Sequence, residues 1–156
     1  LSAPITSGQI AGAFSANLGD QLPLREVAES VKKMRATKGM LLRESDPDSV
    51  SCGSFFTNPI VTADVAATLP AGAPQWPLAD GRVKTSAAWL IENSGITKSH
   101  AHGGAQVSTK HVLALTNSGS ATAAEICELA REVRASVREK FGITLEPEVN
   151  LVGLTL

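Results

Sequence analysis

Apolar residues along this chain fall into two regular helical patterns and several short clusters. Leu24, Val27, Ala28, Val31 and Met34 recur at helical spacing after Pro23 and before Gly39. Proline suits the first helical position, so a helix is predicted from Pro23 to about Gly39. Ile126, Leu129, Ala130, Val133, Val137 and Phe141 form a second, longer stripe, with Arg131, Glu132, Arg134, Arg138 and Glu139 mostly on the other face. Thr122 and Glu125 have the spacing of a capping box, and Gly142 marks the end. Ser86 and Gly95 bracket a third helix, and Thr62 is placed to cap a short one running to Leu69.

The remaining apolar clusters read as strands. Ile60-Val61 continues from Gly53, residues 105–117 have strand character, strongest over 112–115, and Ile143–Leu151 reads as a last strand interrupted at Pro147. That proline places the last strand at an edge or bulge. Asp46-Pro47-Asp48 and Asp80-Gly81 signal turns, and residues 70–81 and 97–104 read as loops. Residues 1–20 read as a connector with a short helix. Strands and helices mix without regular alternation, so the predicted class is α+β: a mixed small sheet with packed helices.

The stretch Gly53-Ser54-Phe55-Phe56-Thr57-Asn58-Pro59 is unusual, since it holds half of the chain's four phenylalanines. Two large rings would anchor the backbone, glycine admits positive φ, and proline removes a donor. The segment therefore reads as a rigid turn-and-strand presenting Ser54 and Asn58. On spacing alone Ser54 is a turn or cap residue or a catalytic hydroxyl; no G-x-S-x-G elbow surrounds it. Trp76 in its proline-rich loop is expected as a hydrophobic plug more readily than as a ligand-facing ring.

With 156 residues, 43% apolar content and a net charge of −1, the chain is long enough for a core and lacks the basic stripe of a nucleic-acid binder. No apolar run reaches membrane-spanning length, so no membrane partner is expected. Cys52 and Cys127 are too few for a disulfide framework and fit a reduced, cytoplasmic setting. Because the chain begins at Leu1, it is expected to be cut from a longer protein.

Other residues invite chemistry. Glu146-Pro147-Glu148 would put two carboxylates on one face of a regular strand. Burial among Leu145, Val149 and Leu151 would raise a carboxyl's pKa and suit it to proton donation; solvated edge charges are the plainer reading. His100, His102 and His111 invite a metal reading, but no cysteine or fixed carboxylate accompanies them, and no metal is expected. Gly103-Gly104 matches neither a phosphate loop nor a dinucleotide fingerprint. The basic run Lys32, Lys33, Arg35 and Lys38 matches a helix dipole, or offers an anion contact.

Taken in order, Gly53–Pro59, Lys84–Glu92 (KTSAAWLIE), Gly103-Gly104-Ala105, Leu113–Asn117 (LALTN) and Leu145–Val149 (LEPEV) closely resemble the UDP-N-acetylenolpyruvoylglucosamine reductases, over roughly residues 23–153. The Thr-Lys-His run at 109–111 is similar to actinobacterial members. The resemblance implies a flavoenzyme of peptidoglycan precursor synthesis, in which FAD reduced by NADPH passes hydride to UDP-N-acetylglucosamine enolpyruvate. It implies a connector and hinge over 1–40 from an N-terminal FAD-binding region, a substrate-binding domain over 41–145, and a tail strand over 146–156 returning towards the flavin. By itself this stretch would be inactive.

Position by position, the resemblance implies that Ser54 is the general acid at C2 and that Glu148 stabilises the developing enolate. It places Lys38, Asn58, Trp76, Lys84 and His111 near the uridine diphosphate. Thr57 and Asn150 depart from the lysine and arginine of many relatives, and the two histidines in 97–102 are not part of the pattern. A non-catalytic sugar-nucleotide binding or interaction domain is the alternative, although such a module would need neither Ser54 nor Glu148.

Overall fold

A computed structural model describes residues 1–156, and the chain divides into two compact units, Leu1–Leu41 and Leu42–Leu156. The first unit holds helices α1 (Gly8–Phe14) and α2 (Leu24–Thr37). Ser7 caps α1 by accepting from the Ile10 amide, and Ser15 closes it with a left-handed backbone. Backbone bonds from Ser2 to Leu22 and from Ile5 to Asp20 tie its two ends together. The helix expected after Pro23 is present, although no residue of α2 is fully buried and Leu24 is 62% exposed.

The second unit is α+β, as its pattern predicts. Its strands are β1 (Ser51–Ser54), β2 (Ile60–Val61), β3 (Gln75–Pro77), β4 (Val83–Thr85), β5 (Ala101–His102), β6 (Ala105–Val107) and β7 (Ala114–Asn117). Its helices are α3 (Ala63–Ala67), α4 (Ala87–Asn93) and α5 (Ala123–Phe141). The strands form two sheets, ordered β1-β7-β6-β5 and β2-β4-β3, and every pairing is antiparallel. The caps read from the sequence all form: Thr62 on α3, Ser86 on α4, and a complete Thr122–Glu125 box on α5 with Gly142 left-handed at its end.

The core lies where α4 and α5 meet the four-stranded sheet. Leu90, Ile91, Leu129, Val133 and Val137 are fully buried there beside Val107, Val112 and Leu145. Phe55 and Phe56 join this cluster, 5% and 1% exposed, with their rings edge-to-face at 5.0 Å. Cys127 is buried on α5, Cys52 is exposed, and both are free.

Three expectations are corrected. First, the loop expected over 70–81 contains β3, which puts Trp76 on a strand; it is 48% exposed and plugs nothing. Second, the loop expected over 97–104 contains β5, while the strand expected over 105–117 is β6 and β7 separated by a turn. These strands are only two to four residues long, too short for an alternating pattern to declare itself. Third, Ile143–Leu151 forms no strand, only an isolated bridge between Phe56 and Pro147. The Thr57 amide donates to Glu146 (3.0 Å) and the Glu148 amide to Phe55 (2.8 Å). Pro147 therefore sits at the non-hydrogen-bonded position between them, where its missing N–H costs nothing.

Truncating Phe56 would empty the centre of this junction. In urea unfolding, Phe56→Ala is expected to cost about 3–5 kcal/mol, as for other buried aromatics. An effect under about 1 kcal/mol would show that the ring is not a structural anchor.

Candidate functional site

Ser54 ends β1 at an irregular point. Ser51 pairs with Thr116 but Ser54 with Ala114, so β1 carries one extra residue, and Gly53 takes φ +82° there. A left-handed glycine admits such a bulge without side-chain strain. Immediately beyond, the Phe55 amide donates to the Leu113 carbonyl (2.7 Å) and the Phe55 carbonyl accepts from the Glu148 amide (2.8 Å). One residue thus ties the Ser54 segment to the end of β7 and to the 146–148 segment.

His111 lies in the turn leading to β7. Its Nδ1 accepts the Leu113 amide at 3.1 Å, so the same Leu113 connects the imidazole to Phe55. Ser54 and His111 are half-buried, whereas Glu148 is exposed. The expectation that the LEPEV carboxylates are buried is therefore not met: Glu146 is also exposed and meets Arg134 at 3.4 Å. The reason is the missing strand, since without a sheet neighbour beyond Phe56 nothing covers these side chains.

A second group lies on the three-stranded sheet. Ile60, Lys84 and Trp76 are directly opposed across β2, β4 and β3. Opposed residues share a sheet face, so an aliphatic side chain, an ammonium and an indole form one exposed row. Such a row offers a flat ring for stacking beside a flexible point charge suited to a phosphate. Ile60 was not singled out from the sequence; only the register of β2 on β4 reveals it.

Asn58 connects the two groups in a way the sequence did not suggest. Its Oδ1 accepts the Ala87 amide at 2.9 Å, at the first turn of α4. The side-chain oxygen is therefore occupied in capping, and the amide NH₂ is the part left to meet a ligand. Lys38 belongs to the first unit, at the end of α2, where it lines a cavity of about 220 Å³ with Arg35, Met34 and Met40.

The three histidines do not converge. His100 Nε2 and His102 Nδ1 bracket the Glu132 carboxylate at 2.9 and 2.6 Å, joining β5 to α5, while His111 lies in a different turn. Spacing placed Glu132 on the polar face of its helix and gave no sign of this partnership. Gly103 and Gly104 pack on the start of α5: an added Cβ would lie 2.0 Å from Glu125 Oε1 and 2.6 Å from the Ala121 amide nitrogen, respectively. That pair is filled by protein and offers no cradle for a flavin diphosphate.

Asp48 and Glu132 are two of the carboxylates that contribute to the acid response. Burial alone would raise the Asp48 carboxyl, but hydrogen bonds from the Thr109 hydroxyl, Ser108 and the Thr109 amide, with the Lys110 charge, outweigh it and hold it below its ordinary value. Hydrogen bonds from His100 and then His102 lower Glu132. A depressed carboxyl contributes stability that is complete above its unfolded pKa, about 4, and is lost as pH falls through the lower folded value. The unfolding midpoint is expected to hold from pH 7 to about 5 and to fall below about 4. Asp48→Asn should flatten that fall, and an unchanged acid limb would contradict the assignment.

Asn58 offers a sharper test. Asn58→Ala should lose about 0.5–2 kcal/mol of stability through the cap. Asn58→Asp retains an acceptor for the Ala87 amide, so its stability should survive. Equal stability loss in both variants would contradict the cap.

Comparison with known proteins shows the family. A family profile described as "UDP-N-acetylenolpyruvoylglucosamine reductase, C-terminal domain" matches residues 46–152. The UDP-N-acetylenolpyruvoylglucosamine reductase of Thermobifida fusca (strain YX) is 49% identical over 166 residues, covering 100% of this chain and 47% of that protein. That of Streptomyces coelicolor is 48% identical over 166 residues, covering 100% and 43%, and that of Mycobacterium tuberculosis (strain ATCC 25177 / H37Ra) is 46% identical, covering 99% and 45%. The chain thus spans about half the length of the curated relatives it matches. A crystal structure of UDP-N-acetylenolpyruvylglucosamine reductase (MurB) from Thermus caldophilus, 26% identical, superposes over 84% of this chain and 36% of that one with a TM-score of 0.47.

Proposed function

The chain belongs to the family of the UDP-N-acetylenolpyruvoylglucosamine reductase C-terminal domain, and we propose that it is the substrate-binding part of such a reductase. The whole protein would reduce UDP-N-acetylglucosamine enolpyruvate to UDP-N-acetylmuramate with NADPH, a step of peptidoglycan precursor synthesis in the cytoplasm. The observation that carries this reading is the junction at Phe55, next to Ser54: its amide donates to Leu113, whose own amide donates to the His111 imidazole, and its carbonyl accepts the Glu148 amide. No helix of this chain is long and apolar enough to cross a membrane.

FAD is the hydride source the family implies, and the glycine pair tested above does not fit it, so flavin binding is assigned to another part of the complete protein. The residues here act on the substrate. The exposed row of Trp76 and Lys84 receives the uridine diphosphate, with Asn58 donating from the neighbouring α4 cap.

Hydride addition at C3 of the enolpyruvyl group leaves negative charge at C2 and its carboxylate. Ser54 donates its hydroxyl proton to C2, completing the saturated lactyl ether. A serine hydroxyl is a weak acid, but the carbanion is a far stronger base than water. Glu148 supplies the carboxyl that stabilises the developing enolate and lowers the barrier. Its exposure in this chain means that desolvation must come from substrate and the remainder of the protein.

Two measurements test the proposal. In the complete protein, Ser54→Ala should leave flavin reduction by NADPH intact and slow reoxidation by the enolpyruvyl substrate about 10²–10⁴-fold, the usual range for a lost general acid. Unchanged reoxidation would remove Ser54 from the mechanism. The chain by itself should bind UDP-N-acetylglucosamine but hold no stoichiometric flavin; NADPH oxidation by it alone would overturn the division of labour. A complete protein that binds the nucleotide but never turns over would instead be a binding module.

A further inference from the structure

The solvent side of α5 carries three arginines that have no part in the mechanism above. Arg131, Arg134 and Arg138 recur at helical spacing, so they fall within about one-sixth of the helix circumference. They line an open cavity of about 580 Å³. That size lies in the range of roughly 300–1,000 Å³ usual for small-molecule sites. Ala135 lines it too and leaves room that a longer side chain would fill, and Thr144 adds a hydroxyl from the segment that follows the helix.

A surface arginine on a helix is ordinarily paired with a neighbouring carboxylate. Arg131 is: its Nη1 donates to Glu128 at 2.5 Å and its Nη2 to the Thr155 carbonyl. Arg134 and Arg138 are not provided for in this way. The Arg134 side chain is 26% exposed, yet its guanidinium, with five N–H donors, makes one bond, to Glu146 at 3.4 Å. Arg138 makes no hydrogen bond or ion pair through its side chain. Glu139 is the one carboxylate in the lining, so three cations face a single anion. The helix dipole favours cations in the last turn, which accounts for Arg138 but not for Arg134 and Arg131, one and two turns earlier.

We propose that this cavity binds a small polyanion, a ligand with two or more neighbouring phosphate or carboxylate groups, held chiefly by Arg134 and Arg138. A guanidinium presents a planar fork that meets either anion with two parallel hydrogen bonds. The partial burial of Arg134 weakens solvent screening of those bonds. None of the lining residues belongs to the row of Ile60, Trp76 and Lys84 or to the Phe55 junction, so the site goes beyond the proposed function. Glu146 is its one internal competitor, through the long bond to Arg134.

The test is calorimetric titration of the complete protein at fixed ionic strength, with UDP-N-acetylglucosamine present in excess to fill the substrate site. Pyrophosphate and citrate are the two probes, one for each class of anion. At least one should bind with 1:1 stoichiometry, and the tighter of the two identifies the class. Arg134→Gln and Arg138→Gln should each weaken that binding about tenfold, the loss expected for a charge-assisted hydrogen bond. Glu146→Gln should tighten it about twofold by removing the competing carboxylate. Lys140→Gln removes a cation from the same helix that does not line the cavity, and should leave affinity unchanged.

Arg138 has no partner to lose, so Arg138→Gln should keep the melting temperature of the unaltered protein and read binding alone. No binding of either probe would overturn the proposal. So would affinity that is insensitive to both arginine variants, or a loss in Lys140→Gln equal to theirs, which would mark unspecific attraction to a charged helix. Failure of UDP-N-acetylglucosamine to bind would defeat the functional reading instead, and the arginine variants would still decide the site.

Discussion

Phe55 is hydrogen-bonded through its backbone in both directions, to Leu113 on one side and to Glu148 on the other, and the rest of the site depends on that junction. The two rings bury themselves edge-to-face in the core and anchor the backbone between them. Gly53 supplies the bulge that brings the strand to this position, and Pro147 fits opposite Phe56 because that position demands no donor. Three segments distant in sequence, each too short to be stable as a strand of its own, are stabilised by being joined to one another.

This arrangement explains how a small sheet can position chemistry. Main-chain groups of Phe55 and Leu113 hold the segments that carry Ser54, His111 and Glu148. The exposed row on β2, β4 and β3 is a separate construction, tied to the first through Asn58, which follows the phenylalanine pair and caps α4. A polar atom spent on architecture restricts what its residue can offer a ligand: with its Oδ1 accepting the Ala87 amide, Asn58 is left as a donor.

Much of the helical structure was legible, because helices announce themselves at their ends. Ser86, Thr62 and the Thr122–Glu125 pair all cap as their spacing implies. Strands of two to four residues leave no such signature, so β3 and β5 were hidden in apparent loops and Trp76 was taken for a plug rather than an exposed ring. Proline at 147 was correctly read as hostile to a regular strand, but the neighbouring apolar residues suggested more strand than a single bridge.

The order of the motifs pointed to the family, and the candidate site residues were named through that resemblance. Nothing in the spacing of a serine beside two phenylalanines assigns it a proton, and the exposure of Glu148 runs against what its apolar neighbours suggest. The pairing of Glu132 with His100 and His102, and the Asp48 clamp on Thr109, join residues far apart in sequence and become visible only in three dimensions. Native-state amide hydrogen exchange tests the central claim most directly. If Phe55 joins the three segments into one cooperative unit, the amides of Phe55, Thr57 and Glu148 will exchange only through the opening that exposes β7. Rapid exchange at Thr57 and Glu148 while Phe55 and β7 stay protected would show that the tail is merely laid against the domain, and would contradict the account.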